Sequence, residues 1–230
     1  MKKNDFLFIA VTLLIILPLV LWDKTFNAYL DFNRDHGMIT SFIKFGILAT
    51  LGEVLGLRVR TGKFYQKGFG LIPKAVIWGF IGLTIKLSFV IFATGTPIFL
   101  SYLGIEGAVD VMKQPFSSTK LLVAFSISVA MNVMYAPIMM TFHKLTDLHI
   151  SEHQGKIQSI YQPINFAKNF KLIDWDVQWN FVFKKTIPFF WIPAHTLTFL
   201  MPSEFQVLFA AVLSVVLGLI LALASLKSQK

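Results

Sequence analysis

Long apolar segments joined by short basic connections constrain this chain more than any other feature of its sequence. A helix needs about 20 apolar residues to cross a bilayer. Six segments meet or approach that length, at residues 6–22, 38–57, 70–95, 120–142, 186–201 and 204–226. Charged residues make up only 14% of the chain, whereas a soluble domain has about 25%. We therefore predict an all-α, polytopic integral membrane protein whose bundle has about six transmembrane helices.

Basic residues are distributed unequally between the two sides of this predicted bundle. Of the 21 lysine and arginine residues, fourteen lie in the connections and termini of one side and four in those of the other. Because positive residues are enriched in cytoplasmic loops, we expect both termini to be cytoplasmic. The membrane is then a bacterial cytoplasmic membrane or an organelle inner membrane. The net charge of +9 comes from these loops and not from one basic face, so no nucleic-acid partner is expected.

The first apolar segment, residues 6–22, has features of a secretory signal as well as of a membrane helix, because two lysines precede it. The residues that follow it, 23–26, contain no small-residue cleavage site. We therefore predict an uncleaved helix. Residues 1–36 would form this helix and an outer loop, and residues 37–230 would form the main membrane bundle.

The connection at residues 143–186 is long for a helical bundle. Trp175, Trp179 and Phe183 recur in it at every fourth position, which places them on one face of a helix. We predict an amphipathic helix that lies in the headgroup region of the bilayer. A soluble loop with unrelated aromatic residues is the alternative.

The sequence contains no motif that points to enzyme chemistry. It has no cysteine, which excludes disulfides, thiolate metal sites and cysteine nucleophiles. His143, His149 and His153 lie near Asp147 and Glu152, but three histidines in a connection of unknown path do not establish a metal site. We expect no enzyme activity, no catalytic residues, and no metal or other cofactor.

Polar side chains inside the apolar segments are costly in a bilayer and are commonly functional. A rise of 1.5 Å per residue places Lys86, Asn132 and His195 near mid-membrane, and Lys44 about 9 Å from the outer end of its segment. We predict that these four residues line a pathway for small solutes, with a preference for anions. The structural alternative is that Lys86 extends to the headgroups and that His195 binds a carbonyl freed by a proline.

Two further features predict contacts between the helices. Glu53 and Lys74 each lie about 6 Å inside the membrane from its cytoplasmic face, so we predict a structural ion pair between them. Gly218 belongs to a row of small residues at every fourth position of the last segment. Such rows allow helices to approach closely in lipid, and we expect this one to be a packing face.

Several short motifs after residue 40 resemble the Mpv-seventeen/peroxisomal-membrane-protein family. Gly52-Glu53 stands where that family has a Gly–Asp pair at the end of its first helix, and basic residues follow it. Asn132 precedes Ala136-Pro137, as the family's Asp–Gln precedes Ala–Pro. Residues 192–209 follow the family's pattern before the last helix, with Ile192-Pro193 and Met201-Pro202 in place of Trp–Pro and Val–Pro. The Trp, Asn and Arg of that pattern are replaced in this chain.

The resemblance implies a distant member of the family with one additional N-terminal helix. Family members are small proteins of mitochondrial inner and peroxisomal membranes, and some are thought to be weakly selective channels. The leading hypothesis is therefore a channel-like or small-solute-permeating protein. A secondary transporter is the first alternative, and an assembly or lipid-organising protein without a solute pathway is the second. The partners considered are the bilayer, small solutes and a second copy of the chain.

Overall fold

The computed structural model describes residues 5, 6 and 21–227, with side chains as far as Leu223. Apart from its ends, the first predicted segment, residues 6–22, lies outside the described residues. Every regular element in the described part is helical, and this part contains no strand. The predicted all-α class is therefore confirmed.

The helices are numbered in chain order as they occur in the described residues. They are α1 Asp23–Asp35, α2 Gly37–Thr61, α3 Leu71–Tyr102, α4 Ser118–Met134, α5 Ala136–Glu152, α6 Phe166–Lys171, α7 Trp175–Val177, a π-helix Gln178–Trp191, α8 Ile192–Leu200 and α9 Ser203–Lys227. Short 3-10 turns lie between α3 and α4 and between α5 and α6.

Backbone contacts divide the chain into two compact units, residues 1–40 and 41–230. In the first unit, α1 is polar, and Arg34 forms surface ion pairs with Asp31 and Asp35. The second unit contains most of α2 and all later helices. The sites described below lie in the second unit.

Three helices are long and apolar enough to cross a membrane: Gly37–Thr61, Leu71–Tyr102 and Ser203–Leu223. A fourth span exists if α4 and α5, which bend by 43° at their junction, are counted as one. These correspond to predicted segments two, three, six and four. The protein is therefore a membrane protein by the length and composition of its helices. Among the described residues this test supports three or four spans, fewer than the six predicted from the sequence.

Proline explains why two predicted segments are interrupted. Pro137 is the second residue of α5, and the residue before a proline is disfavoured in the α conformation. The chain therefore bends where α4 ends. Predicted segment five, residues 186–201, is divided between a π-helix that contains Pro188 and the nine-residue α8, which has Pro193 in its first turn. Each proline lacks the N–H that continues an α-helix, and the helical path changes from π to α hydrogen bonding between Trp191 and Ile192 without a break in the backbone.

The predicted amphipathic segment is helical, because α7 and the π-helix run without interruption from Trp175 to Trp191. The rings of Trp179 and Phe183 meet edge to face at 5.9 Å. Asn180 donates to Asp176 and accepts from Lys184. Lys184 Nζ also lies over the Trp179 ring, 5.8 Å from its centre, so the structure gives this segment a helical backbone, and its amphipathic character stays a prediction.

Glycine contacts set the approach of α2 to α9. A Cβ atom added at Gly218 would lie 2.9 Å from the carbonyl oxygen of Gly52. A Cβ atom added at Gly52 would lie 2.9 Å from the Cα atom of Val215. Because the neighbours are backbone atoms, a side chain at either position would force the two helices apart. This contact includes the small-residue row predicted from the sequence.

Candidate functional site

Four ionisable side chains and one tryptophan meet where α2 ends and α3 begins. Lys74 Nζ lies 2.5 Å from both Glu53 Oε2 and Asp147 Oδ1. His143 Nε2 lies 3.3 Å from Glu53 Oε1, which also accepts a hydrogen bond of 2.6 Å from Trp78 Nε1. We call this group the charged cluster. It contains the ion pair expected between Glu53 and Lys74 and extends that pair to α5.

The charged cluster is largely shielded from its surroundings. The side chains of Lys74, Glu53 and Asp147 are 12%, 22% and 27% exposed. Charges this buried persist only when they are paired and hydrogen-bonded. The cluster therefore links α2, α3 and α5, because removing one member leaves another charge without a partner.

Three members of the charged cluster also have the spacing of metal ligands. Potential ligand atoms of Glu53, His143 and Asp147 all lie within 4.8 Å of one another. The ammonium of Lys74 contacts both carboxylates and already supplies a positive charge there. The geometry thus favours an ion-pair network at this position.

The other two histidines of the 143–153 region bind backbone carbonyls. His149 is buried, and its Nε2 lies 3.0 Å from the carbonyl oxygen of Ser159. His153 Nδ1 lies 2.9 Å from the carbonyl oxygen of His149. The rings of His149 and His153 meet with centres 4.4 Å apart, whereas His143 belongs to the charged cluster, so the three histidines do not share one centre.

Asn132 of α4 and His195 of α8 form a buried polar pair. Asn132 Nδ2 lies 3.0 Å from His195 Nδ1 and donates to the carbonyl oxygen of Ser128 at 2.9 Å. Asn132 is fully buried, and His195 is 8% exposed. His195 thus binds the amide side chain of Asn132, and its bond to a carbonyl freed by a proline stays a prediction. Ser128 donates to the carbonyl oxygen of Ile192, next to Pro193.

The Asn132–His195 pair borders a small cavity of about 40 Å³ between α2, α3, α4, α5, the π-helix, α8 and α9. Tyr135, at the junction of α4 and α5, also lines it, and its hydroxyl lies 2.6 Å from Thr84 Oγ1. The remaining lining residues are mostly apolar or aromatic and include Phe45, Trp78, Ile85, Met131, Met139, Met140, Trp191 and Ala210. We call this space the central cavity.

Trp78 connects the central cavity with the charged cluster. Its indole lines the cavity, and the same indole donates to Glu53. It also packs against the ring of His143, with ring centres 4.3 Å apart. Trp78 therefore contacts both the charged cluster and the mostly apolar cavity that the Asn132–His195 pair borders.

Lys44 and Lys86 do not line the central cavity, although their chain neighbours Phe45 and Ile85 do. Successive residues of an α-helix point about 100° apart, which turns the two lysines away from it. Lys44 is buried, Lys86 is half-buried, and their positive charges are close enough to repel each other. The structure thus places Asn132 with His195 and Lys44 with Lys86, in two separate groups.

Some residues of the site carry little signal in the sequence. Trp78, Tyr135 and Trp191 are ordinary apolar-segment residues until the fold places them around one cavity. Asp147 and His143 are four residues apart, and such residues share a helix face. That spacing could have predicted that His143 and Asp147 share a site. The predicted span ended at residue 142, however, so neither residue was placed on a helix.

Neither the family models, nor the curated proteins, nor the solved structures include one that matches this chain. The resemblance to the Mpv-seventeen/peroxisomal-membrane-protein family therefore rests on its short motifs and stays a prediction. In the structure, Glu53 of the first motif belongs to the charged cluster, and Asn132 and Ala136 of the second line the central cavity.

Proposed function

We propose that this protein is a channel-like membrane protein through which small solutes pass, and that the pathway runs through the central cavity. The observation that carries the proposal is the position of Trp78, which joins the cavity of Asn132 and His195 to the charged cluster. Polar groups thus follow one another inside helices that are apolar enough to cross a bilayer. The cavity holds only about 40 Å³ in this conformation, so passage of a larger solute would need the packing around it to open.

The energetics of buried charge support a functional role. Replacing a buried ion-pair network by well-packed apolar residues is often neutral or stabilising. Ionisable residues inside membrane spans are rare and commonly mark pathways. The charged cluster therefore fits a gate whose ion pairs break and reform, better than a device for stability alone.

Each part of the pathway has a proposed role. The charged cluster closes the end that we expect to be cytoplasmic. Asn132 and His195 supply hydrogen bonds in the middle. The lysine pair, Lys44 and Lys86, lies outside the cavity lining and would act at a distance, through a positive potential that disfavours cations and favours small anions.

The orientation and the interfacial segment belong to the same proposal. The distribution of basic residues supports both termini in the cytoplasm or its organelle equivalent. The aromatic residues of the segment from residue 175 to 191 support a position in the headgroup region.

Reporter fusions after residues 36, 66, 110, 165 and 230 are expected to report outside, inside, outside, inside and inside. An outside signal at residue 230 would refute this orientation.

A secondary transporter is the second candidate, and the proline-containing change from the π-helix to α8 favours it. Interrupted helices commonly flank the binding sites of transporters. Uptake that saturates with solute concentration and depends on a second gradient would identify a transporter. A protein that organises membranes without a solute pathway would give neither channel-like flux nor saturable, gradient-dependent uptake.

Replacing Lys86 by Met tests the lysine pair. We expect the variant to keep its fold and to lose part of its preference for chloride over potassium, because one of two neighbouring positive charges is removed. The measurement is the reversal potential or ion-specific efflux of reconstituted liposomes, together with the melting temperature in detergent. Lys185→Met, at an exposed lysine, is the matched control. A more stable Lys86→Met variant with unchanged flux and selectivity would remove Lys86 from the pathway.

A further inference from the structure

Trp191 has a buried hydrogen-bond donor without an acceptor. The residue is 8% exposed and lines the central cavity. Its Nε1–H makes no hydrogen bond to any described residue. Buried donors are normally satisfied by protein or by a bound molecule. The other indole of the cavity, Trp78, already donates to Glu53.

His195 lies beside Trp191, and the two rings stack with centres 5.0 Å apart. One hydrogen of Asn132 Nδ2 is directed to the carbonyl oxygen of Ser128, and the other can reach His195 Nδ1 at 3.0 Å. His195 Nδ1 also lies 3.2 Å from Asn132 Oδ1, so the amide of Asn132 can pair with either tautomer of the imidazole. The Asn132–His195 pair is thus satisfied within itself, and the Trp191 N–H is the donor left for a bound molecule.

The size and the lining of the cavity limit the class of molecule that fits. A volume of about 40 Å³ has room for about three water molecules. Among the described residues that line it, none is Lys, Arg, Asp or Glu, and an ion stripped of water without a counter-charge is strongly disfavoured. The methionines of the lining adapt to different shapes. In this conformation the cavity is therefore suited to a very small neutral molecule, and an ion would need a wider, hydrated form of the pathway.

We propose that the central cavity binds a neutral molecule of two or three non-hydrogen atoms whose oxygen accepts a hydrogen bond from Trp191 Nε1–H. Methanol represents this class. The inference deepens the proposed function, on which it rests for the role of the bound molecule as a permeating solute. The binding itself is tested without any measurement of permeation.

The experiment follows the indole resonances of the full-length protein, labelled with ¹⁵N-tryptophan in detergent micelles, during a titration with methanol. Loss of a peak in Trp191→Phe and in Trp175→Phe assigns the two signals. Trp175 is the matched control, because its indole already donates to the carbonyl oxygen of Phe170. We expect the Trp191 resonance to shift and saturate, with an apparent Kd no tighter than about 10 mM, the limit for so small a ligand.

The Trp175 resonance is expected to drift linearly over the same titration. A Trp191 resonance that only follows Trp175, or that shows cross-relaxation with water alone at every methanol concentration, would overturn the proposal. Saturable binding without any solute flux in liposomes would retain the site and refute the permeation role. Flux without saturable binding would retain the proposed function and refute this site.

Discussion

Replacing Lys74 by Met is expected to lower the free energy of unfolding by about 3–5 kcal/mol, the usual cost of breaking a buried ion pair from one side. Lys74 contacts both Glu53 and Asp147, so its removal leaves two shielded carboxylates without their main cation. Methionine preserves most of the side-chain volume, and the loss therefore reports charge. Reversible denaturation in mixed micelles measures it.

The matched control is Lys168→Met. Lys168 forms an ion pair with Glu152 at the same distance, 2.5 Å, but both side chains are about half exposed. Exposed ion pairs contribute little to folding stability, so the melting temperature of Lys168→Met should hardly differ from that of the unmodified protein. Adding Glu53→Gln and Asp147→Asn to Lys74→Met should restore part of the lost stability, because the uncompensated charges are then gone. Equal losses for Lys74→Met and Lys168→Met would contradict a buried network.

Gly218→Leu is expected to prevent α2 and α9 from packing and to reduce stability by at least about 1–3 kcal/mol, the usual cost of overpacking. The added Cβ would lie 2.9 Å from the carbonyl oxygen of Gly52. That oxygen belongs to the backbone and cannot move without moving the helix. In lipid, helix association depends on such close packing, so the variant should melt at a lower temperature in detergent.

Gly95→Leu provides the control, because a Cβ atom at Gly95 has no neighbour within 4 Å among the described residues. Both substitutions replace a helical glycine and gain the same helix propensity. A difference between them therefore measures packing alone. Similar melting temperatures for the two variants would exclude Gly218 as a contact point.

The hydropathy of the sequence predicted the spans that are continuous helices, at residues 38–57, 70–95 and 204–226. The lipid environment requires long apolar segments, so their positions are visible without a structure. The bend after Met134 and the π-helix depend on how Pro137, Pro188 and Pro193 are accommodated by neighbouring helices. Such tertiary accommodation leaves no periodic signal in the chain.

The depth of the polar side chains in the membrane predicted some of the residue pairs of the site, but not all of them. Glu53 and Lys74 were expected to pair because they lie at the same depth, and Asn132 and His195 were both placed near mid-membrane. Lys86 has a similar depth but faces away from them, since rotation around the helix decides which residues meet. The contact of Asp147 with Lys74 was not predicted, because the apolar segment ends at residue 142 whereas α5 continues to Glu152.

Solute flux in liposomes tests the central claim most directly. Purified protein is reconstituted, and the rates at which chloride, potassium and small neutral solutes cross the membrane are compared with those of protein-free liposomes prepared in parallel. We predict faster passage of small neutral solutes and chloride than in protein-free liposomes, with potassium the slowest ion. Rates equal to those of protein-free liposomes for every solute, from protein that is folded and inserted, would contradict a permeation pathway through this bundle.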